Sequence, residues 1–134
     1  QIQVGDRGVV TTASFRLEKD LASPGVTFRI TPAVFDGAPQ KFSYTIGNDT
    51  ETSIEFGTYY EVYRLEQQQW QRVPFPEGTA FNDLAILPDP GQSYSDDIYL
   101  YSDQVAYPAG IYRIRKQIRT ADGERTVYAH FRIN

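Results

Sequence analysis

The chain has 134 residues, a formal net charge of -4 and no cysteine. One ordinary domain fits that length, and the missing cysteines exclude disulfides, thiolate metal ligation and cysteine nucleophiles. The acidic balance argues against general nucleic-acid binding, which needs a basic footprint, and no window is long and apolar enough to span a membrane.

Residues 1–20 are irregular. They read as an extra N-terminal strand, through Ile2, Val4, Val9 and Val10, or as a linker, so residues 1–21 are set apart from a domain over 22–134. Phe15–Leu21 is the one stretch with a helical pattern, and it ends at "SPG". From there the period is two. "GVTFRIT" (25–31) turns Val26, Phe28 and Ile30 to one face. "KFSYTI" (41–46) does the same with Phe42, Tyr44 and Ile46, and "GNDT" (47–50) is a turn. "SIEFG" and "YYEVYRLE" (53–66) make a strand interrupted at Gly57 by a bulge. "QQQ" (67–69) is a hairpin loop and "WQRVPF" (70–75) the return strand, with Trp70 expected in the core. "TAFNDLAIL" (79–87) and "YSDDIYLY" (94–101) are further strand candidates around the turn "PDPGQS" (88–93). After "YPAG" (107–110) comes the long strand "IYRIRKQIR" (111–119), then the Asp-Gly turn "ADGE" (121–124) and the closing strand "TVYAHFRI" (126–133). About eight strands with frequent turns predict an all-β sandwich or barrel.

Chemistry is sparse. His130 is the sole histidine, and alternation turns it outward with Tyr128 and Arg132, while Val127, Ala129, Phe131 and Ile133 face in. No Gly-x-Ser-x-Gly elbow or glycine-rich phosphate loop accompanies it, so no catalytic residue and no cofactor is expected. Glu77, Asp83, Asp89, Asp96, Asp97 and Asp103 fall in a run without Lys or Arg. Four of them, Asp89, Asp96, Asp97 and Asp103, are a candidate Ca²⁺ set, though without EF-hand spacing. Arg113–Arg132 is basic instead. If the last two strands pair, Arg113, Arg115, Arg119, Tyr128, His130 and Arg132 share one outward face, a candidate site for an anionic cell-wall polymer, an acidic protein or a neighbouring domain. The plainer reading is that these charges keep an antiparallel sheet soluble. Tyr59, Tyr63, Trp70, Tyr99 and Tyr101 are candidate sugar-stacking rings.

"PAGIYRIRK" (108–116) is like the strand of immunoglobulin sandwiches that carries the tyrosine corner, two residues before the second cysteine. Tyr112 takes the tyrosine position and Ile114 the half-cystine position. With "YTIGNDTETSIEFGTYYEVYRLE", "WQRVPF", "LPDPGQS" and "AHFRI" in order, the chain over residues 22–134 resembles the bacterial immunoglobulin-like domains of secreted, lipoprotein and cell-envelope proteins, chiefly Gram-positive. The resemblance implies a disulfide-free immunoglobulin-like antiparallel β-sandwich of about seven to nine strands, with Tyr112, Ile114 and Trp70 structural. It also implies an extracellular or cell-envelope location. No enzymatic activity is common to that family, so the expected role is a non-catalytic interaction or spacer module. A second likeness, to small bacterial proteinase inhibitors of immunoglobulin-like topology, implies inhibitory loops at 47–58 and 88–97. A carbohydrate-binding module is the third reading.

Overall fold

The computed structural model of the chain describes residues 25–134. The expectations for residues 1–21 lie outside them. Eight strands follow in chain order: β1 (Val26–Thr31), β2 (Val34–Phe35), β3 (Lys41–Asn48), β4 (Glu61–Glu66), β5 (Gln69–Val73), β6 (Ser93–Tyr99), β7 (Gly110–Thr120) and β8 (Gly123–Ile133). They form a three-stranded sheet, β1-β3-β6, and a five-stranded sheet, β2-β8-β7-β4-β5. Every pairing is antiparallel except that of β2 with β8. After β1 the chain crosses from one sheet to the other and joins β8 as β2.

Period-two alternation builds the core, because residues two apart on a strand share a face. Phe42, Tyr44 and Ile46 of β3 face Tyr112, Ile114 and Ile118 of β7 and Val127, Ala129, Phe131 and Ile133 of β8, all buried in one apolar cluster. Ile114, at the half-cystine position, is fully buried. Tyr112 stacks on Phe131 at 5.2 Å between ring centroids, and its hydroxyl donates to the Pro108 carbonyl at 2.6 Å. That bond ties the turn before β7 back onto the strand, the geometry of a tyrosine corner.

Three stretches depart from the expected strands. The β4–β5 turn is tighter than a three-residue loop: Gln67 and Gln68 alone form it, with φ of 51° and 68°, the left-handed pair that a type I′ hairpin needs. "TAFNDLAIL" is no strand. Its one ladder contact is a bridge between Ile86 and Phe56, because residues 54–56 offer only a short edge to pair with and Pro88 has no N–H to extend it. The stretch 53–66 is broken over more than a bulge at Gly57, since regular pairing resumes only at Glu61.

Lys116 explains that break. It sits inward between Ile114 and Ile118, and only 1 % of it is exposed. Its Nζ donates to the carbonyls of Gly57 at 2.7 Å and Tyr59 at 2.8 Å. A buried ammonium needs such acceptors, and the carbonyls it takes are turned away from any strand ladder. Asn48 does the same work for the β3–β4 loop. Its Nδ2 donates to Thr52 O at 2.9 Å and Pro88 O at 3.0 Å, and its Oδ1 accepts from Thr50 N at 2.9 Å.

Candidate interaction surface

The outer face of the five-stranded sheet carries the basic residues singled out in the sequence. Residues opposite one another in an antiparallel pair share a face, so the registers define rows across it. One row holds Tyr128, Arg115 and Glu61; the next holds His130, Arg113, Tyr63 and Arg72; beyond them lie two separate pairs, Arg132 with Ile111 and Leu65 with Trp70. Arg119, opposite Glu124, sits at the hairpin end. All six candidate residues are thus on this face. Glu61, Tyr63 and Arg72 come from β4 and β5 and were not among them, although alternation along "EVYRLE" already places Glu61 and Tyr63 opposite the buried Val62.

Glu61 is the acceptor at the centre. Tyr59 and Tyr63 hydroxyls donate to it at 2.8 and 2.9 Å, Arg115 at 3.2 Å, and Arg72 lies at 3.8 Å. Burial alone works against the charged form, but the two tyrosine bonds and the two arginines outweigh it and hold the Glu61 carboxyl below its usual range. Arg132 Nε donates to Asn134 Oδ1 at 3.2 Å, and Arg119 lies 3.7 Å from Glu124 in an exposed pair.

Arg113 differs. Its guanidinium packs against the faces of Tyr128 and Trp70, with Cζ 3.9 and 4.2 Å from their ring centroids, and Tyr63 lies at 5.8 Å. Burial pulls this guanidinium down to about 10, since losing water disfavours the charged form. Burial, then the Arg113 charge, pull the neighbouring His130 down to about 4, so the imidazole is neutral at pH 7.

Trp70 is therefore not in the sandwich core. Its pairing opposite Leu65 puts it on the outer face, where it is half-buried over Arg113 and 5.7 Å from the His130 ring. The core position expected for it is corrected: β5 is a hairpin edge strand whose inward residue is Val73. The four-aspartate candidate is corrected too, as no three His, Asp or Glu side chains gather as a metal site among the described residues. Asp96 and Asp97 are strand neighbours and point to opposite faces. Asp96 accepts from the Tyr94 hydroxyl and Asp97 from Lys41 and Ser43. The candidate sugar-stacking rings are divided as well. Tyr63 and Trp70 lie on the five-stranded sheet, whereas Tyr99 pairs with Lys41 on the other. The loops 47–58 and 88–97 present polar tips; the exposed large apolar residues among the described ones are Val34, Tyr59, Leu84, Leu87 and Tyr99.

Two sheets of three and five strands, β2 running parallel to β8, a tyrosine tied back across the turn into β7 and no cysteine define a disulfide-free immunoglobulin-like domain. A family model described as bacterial Ig-like domain matches residues 22–132, and the chain belongs to that family. A search of curated proteins finds no significant match. Among solved structures, the chain is similar to the archaellum periplasmic stator protein FlaG from Sulfolobus acidocaldarius, at 23 % identity over 79 % of this chain and 99 % of that one, with a TM-score of 0.42. It is also similar to the FlaF and FlaG stator complex of the same organism, at 22 % identity over 91 % of this chain and 100 % of that one, TM-score 0.45. A third similar structure is the alkylpurine DNA glycosylase AlkC of Pseudomonas fluorescens, at 13 % identity over 82 % of this chain and 30 % of that one, TM-score 0.41.

Proposed function

We propose that this domain is a non-catalytic interaction module of a secreted or cell-envelope bacterial protein, and that it meets an acidic partner through the outer face of the five-stranded sheet. The observation that carries this reading is the charge on that face. Arg72, Arg113, Arg115, Arg119 and Arg132 stand against three carboxylates, Glu55, Glu61 and Glu124, in a chain that is acidic as a whole. Complementary charge of this kind steers association and selects partners. Rigidity supports it: four paired strands hold the rows in place, so little side-chain freedom is lost on contact.

The domain also suits a place in line between neighbours. β1 starts beside Asn48, at the end of the sandwich where Thr50–Thr52 and Thr120–Asp122 line one cavity, and β8 runs from that end to the opposite one. The test is binding of the purified domain to immobilised poly-L-glutamate and to isolated Gram-positive cell walls, at low and high salt. Binding that weakens with salt and with the double substitution Arg72→Gln and Arg132→Gln is expected. Failure to bind either material, or binding that survives both changes, overturns the reading.

A further inference from the structure

Arg113 is the arginine on this outer face that has neither a carboxylate nor a hydrogen-bond acceptor among the described residues. Arg115 and Arg72 converge on Glu61, Arg119 faces Glu124, and Arg132 bonds Asn134. Arg113 makes its contacts through ring faces, and its Nε is sealed from solvent without a hydrogen-bond acceptor. A guanidinium carries five N–H donors, all in its plane. Stacking on Trp70 and Tyr128 uses the faces of that plane, Nε is sealed, and the two Nη atoms at the far end of the edge are left as the place where an acceptor binds. Stacking is also how a weakly hydrated guanidinium is accommodated without a counter-ion, and burial with no carboxylate beside it lowers the affinity of Arg113 for its proton.

We infer that Arg113, walled by Trp70 and Tyr128, is a slot for the side-chain carboxylate of an acidic protein segment. The inference rests on the reading of this face as a contact surface. A carboxylate is flat and has two oxygens, so it pairs with the guanidinium edge through two parallel bonds. A phosphodiester offers two oxygens in the same way; a protein carboxylate is assigned because this face already receives one, Glu61, through Arg115. Glu61, bonded by Arg115 one row away, shows within the chain what the missing partner at Arg113 has to be.

The experiment is a titration of the ¹⁵N-labelled domain with the blocked peptide Ac-Glu-Glu-Glu-Glu-NH₂, following the Arg113 Nε–H and Trp70 indole N–H signals. Both signals are expected to move together and to saturate. Arg113→Lys is expected to weaken peptide binding about tenfold, because an ammonium cannot make the paired bonds. Lys41→Gln, on the other sheet, is expected to leave binding unchanged. Saturable binding with no shift at Arg113 and Trp70 overturns the slot while the wider reading of the face stands. Shifts produced by poly(glycerol phosphate) and not by the peptide also overturn it, in favour of a phosphate polymer. Absence of binding by either probe overturns slot and face together. The wild-type shifts give the answer even if Arg113→Lys does not fold.

Discussion

Tyr112 and Asn48 hold the loops of this sandwich by different means. The Tyr112 hydroxyl donates to Pro108 O, while its ring is packed on Phe131 and Tyr107. Tyr112→Phe keeps the packing and loses the bond, so it is expected to cost about 1 kcal/mol. Asn48 is 1 % exposed and serves both a donor pair and an acceptor. Asn48→Ala removes the bonds to Thr52 O and Pro88 O together with the acceptor of Thr50 N, and is expected to cost about 3 kcal/mol. Urea unfolding of the two variants checks both figures. Equal midpoints for Tyr112→Phe and wild type refute the corner, and a smaller loss for Asn48→Ala than for Tyr112→Phe refutes the role given to Asn48. The tyrosine was legible in the sequence because its turn and strand are contiguous with it. The asparagine read only as a turn residue, because Pro88 is forty positions away.

At the scale of elements, the β4–β5 hairpin works against its own sequence. Gln67 and Gln68 both take positive φ, where a side chain with a Cβ is strained by roughly 1–2 kcal/mol per residue. Replacing the pair with Asn-Gly, the preferred type I′ sequence, is expected to stabilise the domain by about 1–2 kcal/mol, read as a rise in the thermal or urea midpoint. A lower midpoint means the pair is held by something other than turn geometry. The interruption before β4 has the opposite character. Gly57 marks its start, but nothing in "TYYE" marks its extent, because the cause is Lys116, 57 residues beyond Tyr59. Reading Tyr112, Ile114 and Ile118 as the inward set of β7 passed over the lysine between them, since charged residues are almost never fully buried.

For the whole molecule, titrating groups set how stability follows pH. His130 titrates near 4 in the fold against 6.5 ordinarily, so between those values the unfolded chain binds more protons and stability falls as pH drops. Below 4.5 the lowered Glu61 carboxyl adds to the loss. Burial pulls Lys116 down to about 8 from 10.5, so by the same rule stability rises with pH above about 8. Burial pushes Tyr44, Tyr60 and Tyr107 above their ordinary 10.0. The fold keeps these protons when the unfolded chain loses them, so stability falls again above pH about 10. Urea midpoints are expected to peak near pH 9–10, within that window. His130→Gln should flatten the slope between pH about 4.5 and 6.5, where His130 acts before Glu61 adds its loss. An unchanged slope there means that another group titrates.

Strand positions, the Tyr112 corner and the outward turn of Arg113, Arg115 and His130 follow from period-two alternation, a local property that a single chain displays in its order of residues. The bacterial immunoglobulin-like family was legible for the same reason, through motifs each confined to a few neighbouring residues. The partners across the sheet were not. Glu61 reaches Arg115 across 54 positions, and Trp70 reaches Arg113 over 43, a separation read from their numbers. Only the pairing of β4 with β7 and β5 sets those distances. It decides that Arg115 is neutralised while Arg113 is left with ring faces and no carboxylate. Charge along a sequence says how much there is, but long-range register says which charges meet.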